Sequence, residues 1–194
     1  MSPDPSAPVS PPDFDAMYAA DPDPWRVASS WYEQRKLSVL LASLPRERYR
    51  SGWEPGCGIG VATERLAGRV DTLVASDVSP RAVAATSRRV DSTGVRVVES
   101  GLPHVPVDGP VDLVVAAELL YYLEDLDAAV GALASACASG AHLVLLHWAQ
   151  HPHDAFRSGP RTHAVILDEL GGRGASHLVA HRDEDFVLDV MELP

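Results

Sequence analysis

From residue 51 onward, short apolar runs alternate with helical stretches, and this rhythm constrains the fold more than any other feature of the 194-residue chain. The runs are SGWE (51–54), TLVASD (72–77), VRVVES (95–100), VDLVVAAE (111–118) and AHLVLLHW (141–148), with helices expected near 60–68, 80–91 and 124–138. Runs that are continuous in Val and Leu, not alternating with polar residues, belong in a parallel sheet covered by helices on both faces. Gly140 is expected to end the helix ahead of the fifth strand. A helix around 160–170 ends at LGGRG, and two strands, HLVAHR and FVLDVMEL, follow with only DED between them. Three residues cannot cross over to a parallel strand, so they close an antiparallel hairpin. The expected fold is a Rossmann-like, doubly wound α/β sheet of seven strands, mostly parallel, ending in that hairpin.

Ahead of the sheet, MSPDPSAPVSPPD places five prolines in thirteen residues with no apolar run. It reads as a disordered tail over 1–13, not as a signal peptide. Pro22 and Pro24 make a turn, after which Ser29 or Ser30 caps a helix, with Glu33 closing a capping box on Ser30. That helix runs to about Leu44, stopped by Pro45, with Leu37, Leu40, Leu41 and Leu44 on one face. A chain of this length fits one domain.

The formal net charge of −11 argues against a nucleic-acid partner, which would need a clustered basic face, and mildly favours a cationic small molecule. Two cysteines, Cys57 in a glycine loop and Cys137 in an Ala-rich helical segment, form no CxxC pair. A reduced, cytoplasmic protein is expected, with no membrane span and no metal.

The loop after the first strand is EPGCGIG, with Gly56, Gly58 and Gly60 alternating behind Glu54. In open α/β sheets a ligand lies beyond the carboxyl ends of the strands, where strand order reverses. The second strand ends at Asp77, 21 residues after Gly56, where an acid can accept from ribose hydroxyls. Glycines and acid together imply an adenosine ligand, a nicotinamide dinucleotide or S-adenosylmethionine. Three features favour the second. Thr63 stands where the dinucleotide fingerprint wants Gly or Ala, an acid precedes three alternating glycines, and the hairpin replaces a second mononucleotide-binding half.

On these residues the chain resembles class I S-adenosylmethionine-dependent methyltransferases. Through DPWRVASSWYEQ, EPGCGIGVATERLA, SDVSPRA, AAELLYYLED and RDEDFVLDV it is similar to the nodulation protein S (NodS) group of N-methyltransferases. The resemblance implies a core over 51–194 with residues 14–50 as a helical lid. It implies that Glu54, Gly56, Cys57, Gly58 and Gly60 shape the pocket for the methionine part of the cofactor, with Glu54 near its ammonium. Asp77 would hold the ribose, Val78 the adenine face, and Ser100, Gly101 and Leu102 the adenine edge. Gly101 departs from the family, where an acid commonly accepts from the adenine amino group; either Glu99 or Ser100 compensates or that contact is missing. Trp25, Trp31 and Tyr32 either fold over the cofactor or pack as an ordinary amphipathic helix.

Methyl transfer is an in-line displacement, and an amine near neutral pH needs help in losing a proton. Glu118, at the end of the fourth strand, is expected to contact the incoming amine or the cofactor's ammonium, with helix capping as the plainer reading. Of Tyr121 and Tyr122, one would line the acceptor pocket and one pack inside. His147 and Trp148 are alternative wall residues, and His147 is a candidate general base, with a hydrogen-bonded structural histidine as the plainer reading. His147, His151 and His153 match no common zinc spacing, and Cys57 reads as a loop filler. The activity so implied is methylation of a small molecule, most directly an amine such as a deacetylated aminosugar. The alternatives are an O-methyltransferase, a non-catalytic binder of the cofactor, and a nicotinamide oxidoreductase.

Overall fold

The computed structural model describes residues 11–194. Most of the expected tail, through residue 10, lies outside the described residues. The strands are β1 (Tyr49–Pro55), β2 (Val70–Asp77), β3 (Val95–Glu99), β4 (Val111–Ala117), β5 (Cys137–Trp148), β6 (Ser176–Arg182) and β7 (Phe186–Glu192). The helices are α1 (Phe14–Ala20), α2 (Trp31–Ser43), α3 (Val61–Leu66), α4 (Pro80–Arg89), α5 (Leu126–Ala136) and α6 (Gly159–Gly172).

The strands form one seven-stranded sheet in the order β3-β2-β1-β4-β5-β7-β6. Neighbours from β3 to β5 are parallel, and β7 runs antiparallel to both β5 and β6. The order reverses between β1 and β4, so a crevice opens beyond their carboxyl ends. Continuous apolar runs are explained by burial on both faces. Val114 and Ala116 of β4 join Leu143, Leu145, Ile166 and Met191 on one side, while Leu113 and Val115 join Leu40, Leu73, Val144 and Leu188 on the other.

Helix starts follow local chemistry. Ser79 accepts from the amide of Ala82 ahead of α4, and Asp125 accepts from Ala128 ahead of α5. At α2 the structure corrects the expected capping box. Ser30 has N-cap backbone geometry but no side-chain capping bond, and Glu33 turns instead to Lys36 Nζ at 2.9 Å. A second correction concerns β5. The helix ahead of it ends at Ala136, so Cys137 already pairs with Val111, and Gly140 lies inside the strand at φ +73°. The amide of Gly140 donates to Leu193 and its carbonyl accepts from Arg46, which holds the early start of the strand in place.

Candidate functional site

Glycine makes the floor of the crevice. Gly56, Gly58 and Gly60 have φ of +72°, +56° and +81°, a region other residues enter at a cost of about 1 kcal/mol or more. Their alternation turns the chain sharply from β1 into α3. At Gly60 a Cβ would stand 2.9 Å from the side chain of Thr86, and at Gly58 it would meet the Tyr18 hydroxyl at 3.0 Å. The Gly58 amide donates to Asp77 Oδ2 at 2.9 Å, and Ser79 donates to Oδ1 at 2.9 Å. Burial raises the Asp77 carboxyl, and those amides pull it back. Two of its roughly four lone-pair positions stay open.

Glu54 is buried beneath the loop, and its Oε2 has no hydrogen-bond partner among the described residues. Burial pushes its carboxyl up to about 8, with Asp77 adding to the shift. Ser100 Oγ is likewise buried without a partner, while Val78 is an apolar side chain left 55% exposed beside Asp77. A Cβ on Gly101 would come 2.3 Å from Val78 Cγ1, so the acid the resemblance leads one to expect would have to displace the Val78 side chain. Glu99 is exposed, and Leu102 packs against the core. Buried acceptors, an apolar shelf and a glycine floor are together suited to a nucleoside carrying a cationic side arm.

A second cluster stands at the end of β4. Glu118 has φ +53°, strained for a residue with a side chain. Its Oε1 accepts from Lys36 Nζ at 2.5 Å, and its Oε2 accepts from the Tyr121 hydroxyl at 2.5 Å and the Trp148 amide at 3.0 Å. Lys36 is buried, and its ammonium also lies 4.6 Å from the centre of the Tyr32 ring. Burial works against the Lys36 charge, but Glu118 and Glu33 outweigh it and raise its pKa.

The family profile described as Nodulation protein S (NodS) matches residues 15–145, which takes in the glycine loop, Asp77, Lys36, Glu118 and Tyr121. The chain belongs to the NodS family. It is 37% identical over 127 residues to the NodS of Sinorhizobium fredii, covering 63% of this chain and 59% of that protein. It is 37% identical over 131 residues to the NodS of Rhizobium tropici, covering 65% and 55%. The chain thus spans less than two thirds of the length of these relatives. The crystal structure of N-methyltransferase NodS from Bradyrhizobium japonicum WM9, in complex with S-adenosyl-L-homocysteine, superposes with a TM-score of 0.80 at 25% identity, covering 94% of this chain and 100% of that one.

Within this NodS-family fold, several expected residues stand elsewhere than their readings placed them. His147 is fully buried. Its Nε2 accepts from the Leu120 amide at 3.1 Å, so its Nδ1 carries the proton and donates to His163 Nε2 at 2.9 Å; His163 Nδ1 in turn donates to Asp189 at 2.5 Å. Both nitrogens are engaged, and burial holds the imidazole well below its ordinary pKa. Of its two expected readings, this geometry supports the hydrogen-bonded structural histidine and not the general base. Tyr32 packs on Phe186, with ring centres 6.3 Å apart, and belongs with Lys36 and Glu118, not with the glycine loop. Trp31 is 80% exposed and covers nothing. Trp25 stacks edge-on against Tyr18 at 5.6 Å and reaches the loop through it.

Tyr18, Asp15 and Lys36 were missed by sequence reading. Asp15 of α1 accepts from Ser79 Oγ at 2.6 Å and pairs with Arg81, docking α1 beside Asp77 and laying Tyr18 on Gly58. Phe14 packs on Tyr122 at 5.1 Å. Tyr121 and Tyr122 are both buried, and Tyr121 is the partner of Glu118. Burial raises the thiol pKa of Cys57, and its contact with Thr86 works the other way. His151 turns to the Ala155 carbonyl, and no group of three metal-ligating side chains gathers among the described residues. No helix among them is long and apolar enough to cross a membrane.

Proposed function

We propose that the chain is an S-adenosylmethionine-dependent methyltransferase acting on an amine of a small molecule, with the amine of a deacetylated aminosugar as the candidate acceptor. One observation carries the cofactor assignment: a floor of three left-handed glycines tied to the buried Asp77 carboxylate at the strand-order switch. The residues present fit the group. Glu54 offers a buried, unpartnered oxygen toward a cationic arm, and Ser100 offers a buried hydroxyl beside the Val78 shelf.

In this reading Gly56, Cys57, Gly58 and Gly60 hold the methionine part together with Glu54. Asp77 holds the ribose, Val78 covers the adenine, and Ser100, Gly101 and Leu102 border its edge. When bound, the cofactor supplies a methyl group on a sulfonium, which a neutral amine takes with its lone pair as the carbon–sulfur pair leaves with sulfur. The chain orients and excludes water: Tyr18 and Trp25 close over the loop, and Glu118, fixed by Tyr121, receives the acceptor's nitrogen. The likeness to the Bradyrhizobium N-methyltransferase supports the amine.

The test is mass spectrometry of glucosamine and short deacetylated chitooligosaccharides incubated with enzyme and S-adenosylmethionine, beside N-acetylated, alcohol and phenol acceptors. A one-methyl gain on the free amine that acetylation abolishes is the expected result. Methylation confined to an alcohol or phenol discards the amine, and no transfer with cofactor binding intact discards these acceptors.

A further inference from the structure

A carboxylate can accept about four hydrogen bonds. On Glu118, Tyr121 and the Trp148 amide fill Oε2, and Lys36 takes one position on Oε1. The open position is therefore on Oε1, the oxygen that already bears the Lys36 ammonium. The Glu118 side chain is 28% exposed while that of Lys36 is 5% exposed, so part of Glu118 faces solvent and the lysine lies behind it.

An acceptor amine transfers nothing until it has lost its proton, because the lone pair makes the new bond. Carboxylates oppose that loss, since a negative charge within a few ångströms favours the ammonium form. Here there are two, Glu118 and Glu33, the latter 2.9 Å from Lys36 Nζ. Without a cation between them they would bind the acceptor firmly in its unreactive state. We propose that Lys36 is a positioning residue that keeps the acceptor's amine neutral by sharing the Glu118 carboxylate with it. The inference rests on the methyltransferase reading of this site. The proton shed by the amine passes to solvent on the exposed side of Glu118.

The other titratable groups around this point do not replace the lysine. Tyr32 and Tyr121 have hydroxyls that burial makes harder to ionise. His147, behind the turn, is neutral with both nitrogens engaged. Arg35 of α2 faces away, paired with Asp183 and Asp185 of the hairpin turn and lying over the Phe186 ring.

The experiment is the pH dependence of kcat and KM for glucosamine with saturating S-adenosylmethionine, for the wild type, Lys36→Met, Lys36→Arg and Glu33→Gln. S-adenosylhomocysteine binding serves as the folding control. In Lys36→Met the rising limb of kcat moves up by about 1–2 pH units, and at neutral pH both kcat and KM fall, because the amine is held more tightly as its cation. Lys36→Arg restores the wild-type limb, and Glu33→Gln moves it down. A limb unmoved in Lys36→Met with cofactor binding intact overturns the inference, as does a raised KM on an unmoved limb, the mark of a merely structural lysine. If Lys36→Met does not fold, a Glu33→Gln limb that stays put or moves up overturns it instead. A wild type that binds S-adenosylhomocysteine and methylates no amine overturns the amine reading, and this inference with it.

Discussion

The amide of Gly58 donates to the carboxylate of Asp77 at 2.9 Å, fastening the glycine loop to the end of β2. One acid therefore both sets the loop and keeps two acceptor positions for a ligand. Replacing Asp77 by Ala removes those acceptors and strands the Gly58 and Ser79 amides. Cofactor affinity by calorimetry is expected to fall at least about 100-fold, because hydrogen bonds to a charged group are worth roughly 1.5–3 kcal/mol each. Unchanged affinity would sink the assignment of this residue.

Glu54 couples cofactor binding to a proton. Its folded carboxyl titrates near 8, so it is protonated at pH 7 in the free protein. A cationic arm placed beside it favours the ionised form. Binding S-adenosylmethionine at pH 7 is therefore expected to release a proton, seen as a binding enthalpy that varies with the ionisation enthalpy of the buffer. The release fades as pH rises past the folded value, and Glu54→Gln removes it. Stability follows the same shift. The folded value lies above the unfolded one, so the contribution of Glu54 is present in full below about 4.5 and is lost as pH rises through 8. Thermal melts of Glu54→Gln should lose that decline.

The strands, the hairpin and the Asp77 loop were legible because each is written locally. Continuous Val and Leu runs mark strands buried on both faces, and three residues force a hairpin. Lys36 left no such mark. Its partner Glu118 is 82 residues away, and a lysine on an amphipathic helix is ordinarily solvated. The short α1 was lost for a similar reason, since docking by Asp15 on Ser79 and Arg81 holds it and not its own periodicity. The structural reading of His147 was legible too. The two-residue period of β5 puts it on the face of Leu143 and Leu145, which pack into the core against α6, where His163 waits.

Tyr18 lies where a bound methionine arm would be covered, with its hydroxyl over Gly58. Tyr18→Ala opens that cover while leaving Asp77 and the loop in place. The expected outcome is S-adenosylhomocysteine release faster by about tenfold in stopped-flow displacement, with a smaller change in the association rate. An unchanged release rate would remove α1 from the cofactor site.

His147, His163 and Asp189 form one buried polar line, closed at the sheet edge by Arg182 and His177 on Asp189. Burial lowers the pKa of both His147 and His163, and Asp189 opposes that shift on His163. In the unfolded chain both titrate near 6.5, so below that value the unfolded state takes up protons that the native state refuses. Their stabilising contribution is present above pH 6.5 and is lost as pH falls toward their folded values. Melting temperature should therefore drop as pH falls from about 7 to 5. Asp189→Ala, which leaves His163 and Arg182 without their shared acceptor, should destabilise by about 3 kcal/mol or more. The pH limb of methyl transfer should stay where it is, because all three members of the line are buried. A limb displaced in Asp189→Ala would return His147 to the chemistry.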